Sequence, residues 1–327
     1  MIAGNIVRAV TGFTPRISLL LAAALAAWGF WSTLLLFLQR WKFSPISQSI
    51  VILAIAVHPA AFFLVAAYSE SLFLLGLIGL IFWSHEKKPT HAVTAIVHGI
   101  VMTATRIFGI VPVIYPVIVS LLQKDSRAAK MKDLLRAALI SLGATAGMLA
   151  FFAYSSVALG KWNLYMRAQE KMWGIAPDYF FLFRWSEIFP VPMVRPPLLY
   201  GNNLSPFLAT VTFWLLVAGI VLDILLRYRR TRPDDSRPQR VALWTCALVS
   251  WYMTAASLMG SEFRSMLRYA YIPYILGVLA AALLLRDVRW NRFRILIAIV
   301  LFAGFVAASL FVQNYLIRAF TAGLWVA

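Results

Sequence analysis

The residues best placed to do chemistry lie in the run His58-Pro-Ala-Ala-Phe-Phe-Leu-Val-Ala-Ala-Tyr-Ser-Glu-Ser-Leu-Phe-Leu-Leu75, which sets Tyr68 and Glu70 between two apolar stretches. Water is absent from a hydrocarbon core, so a carboxylate persists there only at an interface, in a cavity or beside a cation. Glu70 therefore has two readings. It either caps a helix, satisfying free amides and complementing the dipole, or binds a hydroxyl-rich or cationic ligand at a cavity mouth.

Two arginines extend the pattern. Arg106, in Thr105-Arg-Ile-Phe-Gly109, separates two short apolar pieces, and Arg268 in Ser265-Met-Leu-Arg-Tyr269 repeats the arrangement beside Tyr269. A guanidinium offers a planar fork of donors suited to a phosphate. The competing reading is snorkelling to lipid headgroups. A third stretch, Gly160-Lys-Trp-Asn-Leu-Tyr-Met-Arg-Ala-Gln-Glu-Lys-Met-Trp-Gly174, has the spacing of an interfacial helix carrying Trp162, Tyr165, Gln169 and Trp173. It suits either an aromatic belt or a substrate-binding role.

The elements that must position these residues are set by composition. The chain has 327 residues, 62% hydrophobic and 13% charged, against about 45–50% and 25% in soluble domains. This predicts an all-α, polytopic membrane protein with a single integral domain over 1–327. Apolar windows place spans at Ile17 to Leu38, Gln48 to Ala67, Leu134 to Leu159, Phe207 to Leu226, Val241 to Met259, Tyr269 to Leu285 and Ile295 to Val312. Shorter pieces at Ser71 to Trp83, Ala92 to Ala104 and Ile107 to Leu122 read as kinked or re-entrant, giving about ten segments.

A net charge of +18 would fit nucleic acid. The basic residues, however, gather in short loops at 40–42, 86–88, 123–136, 227–240 and 286–294, which fits membrane orientation instead. Positive-inside logic puts these loops in the cytoplasm. The opposite face then receives Tyr68 to Ser71, Thr105-Arg106, the aromatic loop 160–205 and Gly260 to Arg268. The N-terminal tail, with Arg8 and Arg16 and no acids, resists this topology. The first apolar run is too long for a signal peptide and lacks an obvious cleavage site. Cys246 alone excludes an intrachain disulfide framework, and His58, His85, His91 and His98 form no zinc pattern. Asn203-Leu-Ser205 is a weak glycosylation acceptor, being followed by Pro206.

Four motifs together, His58-Pro through Tyr68-Ser-Glu-Ser-Leu-Phe73, Thr105 to Gly109, Gly160-Lys-Trp with Gln169 and Trp173, and Ser265 to Tyr269, resemble the PIG-V-like mannosyltransferases. This is the family of the GPI second mannosyltransferase and its bacterial relatives. The resemblance implies a GT-C fold, an active site facing away from the cytoplasm and a polyprenyl-phosphate sugar donor, typically mannose. It also implies a catalytic aspartate in a first outer loop, and the sequence reads as beginning just beyond that region.

The expectation is thus a glycosyltransferase in a bacterial-type inner membrane, acting on an acceptor hydroxyl. Tyr68, Arg106, Gln169, Trp173, Arg268 and Tyr269 would bind substrate. Glu70, with Glu170 and Glu262 behind it, would serve as base or position substrate. Arginines can neutralise the departing phosphate, so no metal is demanded, although a divalent ion is compatible. The alternative is a non-catalytic protein that binds or translocates a lipid-linked sugar. The implied partners are the donor lipid and the bilayer, with no nucleic acid. The sugar, the acceptor and any partner subunit are not specified by the sequence.

Overall fold

A computed structural model describes residues 2–123, 126–173, 177–180, 204–229, 235–258, 266–286 and 292–322, and all secondary structure among them is helical. Six helices are long and apolar enough to cross a bilayer: Pro15–Arg40, Arg127–Leu159, Leu204–Leu226, Arg237–Leu258, Met266–Leu285 and Ile295–Thr321. The chain is therefore an integral, multi-pass membrane protein. Its contacts divide it into two units, Met1–Phe43 with Phe63–Arg167, and Ser44–Phe62 with Ala168–Ala327.

The first unit contains α1 (Ile2–Thr11), α2 (Pro15–Arg40), α4 (Glu70–Ser84), α5 (Pro89–Thr105), α6 (Tyr115–Leu122) and α7 (Arg127–Leu159). Its core is α4, which is apolar all round, with Phe73, Leu74, Leu77, Ile78, Leu80 and Ile81 buried. The stripe Phe30, Leu34, Phe37 and Leu38 of α2 is buried, and α2 and α5 both pack against α4. Lipid tails are as apolar as leucine, so association of such helices depends on close van der Waals fit. Small residues supply that fit. A Cβ on Gly79 of α4 would lie 1.9 Å from the His98 ring of α5, and one on Gly147 of α7 would lie 2.1 Å from the Ile100 carbonyl. Thr103 adds an interhelical bond, its hydroxyl donating to the Ala144 carbonyl at 2.6 Å.

After α5 the chain breaks. Arg106 is extended, with φ −149° and ψ 135°, and 3-10 turns at Ile107–Ile110 and Pro112–Ile114 lead into α6. The prolines at 112 and 116 remove backbone donors from this stretch, which accounts for the kinked reading of Ile107 to Leu122.

The second unit contains α3 (Pro45–Ala56), α9 (Leu204–Arg229), α10 (Arg237–Leu258), α11 (Met266–Leu285) and α12 (Arg292–Thr321). The sequence boundary between the units, after Arg167, falls within α8 (Leu164–Trp173). The buried helix here is α11, packed by α9, α10 and α3. The hairpin α9–α10 is tied by a buried ion pair, Arg240 Nε to Asp223 Oδ2 at 2.6 Å, with Trp244 Nε1 donating to the same oxygen at 3.1 Å.

The predicted span Gln48 to Ala67 is corrected by the structure, since α3 stops at Ala56. The cause is Pro59, which disfavours helical backbone at His58 and cannot donate. Carbonyls freed inside a membrane protein need donors. Tyr274 and Tyr271 hydroxyls donate to Ala54 and Ile55, each at 2.9 Å, and Gln313 Nε2 donates to the carbonyls of Ala56 at 3.3 Å and His58 at 3.2 Å. The His58 ring stacks on Tyr271, with centroids 4.8 Å apart, and its Nδ1 accepts from the Ala60 amide at 3.2 Å. In its histidine-proline portion, the most distinctive motif in the sequence is thus a braced helix break.

Candidate functional site

The break at Arg106 and the start of α4 bring two of the four motifs together. Arg106 follows the last turn of α5, its amide still bonded to the Met102 carbonyl at 3.2 Å, while Glu70 opens α4 after Ser69. Because α4 and α5 pack side by side, the extended backbone at Arg106 carries its side chain across to the first turn of α4. Arg106 Nη2 forms an ion pair with Glu70 Oε1, and its Nε donates to Ser69 Oγ at 3.4 Å. The Glu70 side chain is 1% exposed and that of Arg106 8%.

These values separate the readings open at the sequence level. Ser69 makes no side-chain cap, and the Glu70 carboxylate engages a guanidinium 36 residues away in sequence. Its place in the first turn still suits the helix dipole. Arg106 does not snorkel, being almost wholly enclosed. Tyr68 lies on the loop just before, its ring edge-on to Phe63 at 5.2 Å. The start of α8 is pinned to the end of α7 by the contacts of Phe152 with Trp162 and of Phe151 with Tyr165.

Gln169 is half-buried and Glu170 exposed on α8, and Trp173 closes that helix with its side chain outside the described residues. Arg268 and Tyr269 belong to the second unit, in the first turn of α11. Arg268 Nη2 donates to the Tyr269 hydroxyl at 3.0 Å, with the guanidinium 4.9 Å from the ring centroid. Glu262, Asn203, most of 160–205 and parts of 227–240 and 286–294 lie outside the described residues. Among the described residues, no group of three His, Cys, Asp or Glu could hold a metal ion.

At the other end of α4 the predicted basic loops assemble around carbonyl oxygens. Arg40 Nη1 donates to the Phe82 carbonyl at 2.7 Å, and its guanidinium also meets Glu86 at 2.6 Å and covers the Phe82 ring. Arg136 donates to the carbonyls of Ser84, at 3.2 Å, and Glu86. The ring of His85 meets the Tyr115 hydroxyl at 2.7 Å. Burial, with the charges of Arg40 and Arg136 beside it, pushes His85 down to about 4.

Sequence reasoning missed Ser69 as a partner of Arg106, and Tyr271, Tyr274 and Gln313 as the brace of α3. Gln313, polar in the long apolar run of α12, carried the one available signal. Comparison of the chain with protein-family models, curated proteins and solved structures finds no match.

Proposed function

We propose that this protein is a membrane glycosyltransferase that moves a sugar, mannose in the leading case, from a polyprenyl-phosphate donor to an acceptor hydroxyl. The observation that carries the reading is the meeting of Tyr68-Ser-Glu70 with Thr105-Arg-Ile-Phe-Gly109 at one end of the first unit. These are two of the four motifs on which the family resemblance rests. In a single displacement, the acceptor oxygen attacks the anomeric carbon and the carbon–oxygen bond to phosphate breaks. The polyprenyl phosphate leaves with the bonding pair, and the hydroxyl proton passes to a base.

Arg106 is the group suited to charge building on that phosphate. Glu70, enclosed and ion-paired, acts as a positioning residue that aims the guanidinium. Arg268 with Tyr269, and Gln169 with Trp173, belong to the second unit and are candidate substrate contacts on the family resemblance alone. The enclosure of Glu70 also favours the second reading, a protein that binds a lipid-linked sugar without transferring it.

The test is transfer of radiolabelled mannose from polyprenyl-phosphate-mannose by membranes containing this chain, its Arg106→Ala variant or its Glu70→Gln variant. Transfer lost in Arg106→Ala and reduced in Glu70→Gln, with insertion intact, supports the enzyme. Full transfer in Arg106→Ala rejects the phosphate role. Binding of the donor without transfer by the unaltered chain selects the second reading.

A further inference from the structure

On α7, Arg127, Met131, Leu135 and Leu139 recur every four residues, with Leu142 three beyond, so they form one ridge along the helix. The face that packs inward is a different one, Ala137, Ile140, Ser141 and Ala144. The ridge is open, its apolar members from Met131 to Leu142 being 57–70% exposed. At 33 residues α7 is about 50 Å long, against about 30 Å of hydrocarbon. Its charged residues all lie between Arg127 and Arg136, so this end protrudes and the ridge descends from it into the adjoining leaflet. Open apolar side chains on a spanning helix face acyl chains.

Charge narrows what else meets this surface. The connection from α4 to α5 and the first turns of α7 carry six cations, Lys87, Lys88, Arg127, Lys130, Lys132 and Arg136, against the two carboxylates of Glu86 and Asp133. Both carboxylates are already engaged, Glu86 by Arg40 at 2.6 Å and Asp133 by Lys87 at 3.2 Å. Arg127 and Lys132 are exposed and make no hydrogen bond or ion pair with a described residue. Arg127 heads the ridge, and Lys132 shares its face, three residues before Leu135 and seven before Leu139. Long cationic side chains placed there keep their stems on apolar surface and their heads at phosphate depth. A zwitterionic headgroup brings its own cation and gains little from two more, whereas an anionic headgroup brings none.

We propose that this ridge is a binding surface for an anionic glycerophospholipid of the adjoining leaflet, its headgroup met by Arg127 and Lys132 and an acyl chain laid along Met131, Leu135, Leu139 and Leu142. The surface is built on one exposed helix face and is independent of the transferase reading.

The experiment is native mass spectrometry of the full chain in detergent, titrated with equal amounts of phosphatidylglycerol and phosphatidylcholine. It is repeated on Arg127→Gln, on Lys132→Gln and, as a control, on Lys42→Gln, another exposed cation of the first unit. None of these substitutions threatens the fold, because each side chain is exposed and makes no bond to a described residue. The expected result is preferential retention of phosphatidylglycerol, lowered about fivefold by each substitution on α7 and far less by Lys42→Gln. Leu139→Ser should weaken both lipids alike and keep their ratio, and retention unchanged in that variant overturns the acyl contact. Equal retention of both lipids by the unaltered chain overturns the site. So does a preference that falls as much in Lys42→Gln as in Lys132→Gln, since diffuse charge then accounts for it. Loss of the bound lipid to millimolar inorganic phosphate at constant ionic strength overturns the lipid and leaves a soluble anion as the occupant.

Discussion

The two ends of α4 lie about 22 Å apart along a 15-residue helix, and each is held by arginine from neighbouring elements, yet the arginines do different work. At the N-terminal end, Arg106 meets a carboxylate in near-complete enclosure. At the C-terminal end, Arg40 and Arg136 reach over carbonyls that the helix leaves unbonded, in a half-exposed setting. The second arrangement is a standard answer to a helix terminus, since cations there satisfy orphan carbonyls and complement the dipole. The first is not required by the helix at all. Burying two charges costs several kcal/mol per ion before their attraction is counted, so a pair in that position points to use beyond stability.

The sharpest way to break this comparison is Arg106→Ala, which takes the guanidinium away from a carboxylate that stays buried. It should destabilise the protein by about 3–5 kcal/mol, read from unfolding of the detergent-solubilised protein. In a double-mutant cycle, Glu70→Ala with Arg106→Ala should recover much of that stability while recovering no transfer. Recovery of both would reduce the pair to a structural lock. Arg136→Gln is the matching change at the other end and should cost less, about 1–2 kcal/mol, because water can reach the freed carbonyls.

The smallest effect sharpens the contrast through pH. His85 is held neutral in the fold, with its value pushed from 6.5 to about 4, so the unfolded chain takes up a proton first as the medium is acidified. Its contribution to stability is complete above pH 6.5 and is lost progressively as pH falls toward 4. The stability difference between the unaltered protein and His85→Gln should therefore shrink across that window. A difference that stays constant with pH would show that His85 titrates as it would in water.

Much of this was legible in sequence because the signals are local. Apolar windows located α2, α9, α10 and α11 to within a few residues, and found α7 and α12 while missing the first seven residues of one and the last nine of the other. The basic loops at 40–42, 86–88 and 123–136 were legible as orientation signals, but not as partners around Glu86. The span drawn through Ala67 failed because hydropathy averages over a break. His58-Pro-Ala-Ala-Phe-Phe is nearly as apolar as the helix before it, and only Pro59 marks the stop. The roles of Glu70 and Arg106 were assigned separately because nothing in either motif names the other.

By itself, the sequence determined that this is a helical, multi-pass membrane protein and gathered its positive charge into particular loops, because hydropathy and charge are sums over neighbouring residues. Only the tertiary structure decided that Glu70 and Arg106 form one enclosed pair, and that Tyr271, Tyr274 and Gln313 close the broken end of α3. Those partners lie tens to hundreds of residues apart, and small residues such as Gly79 and Gly147 let α4, α5 and α7 approach closely enough for the first pair to form. Packing at that distance leaves no periodicity along the chain to read.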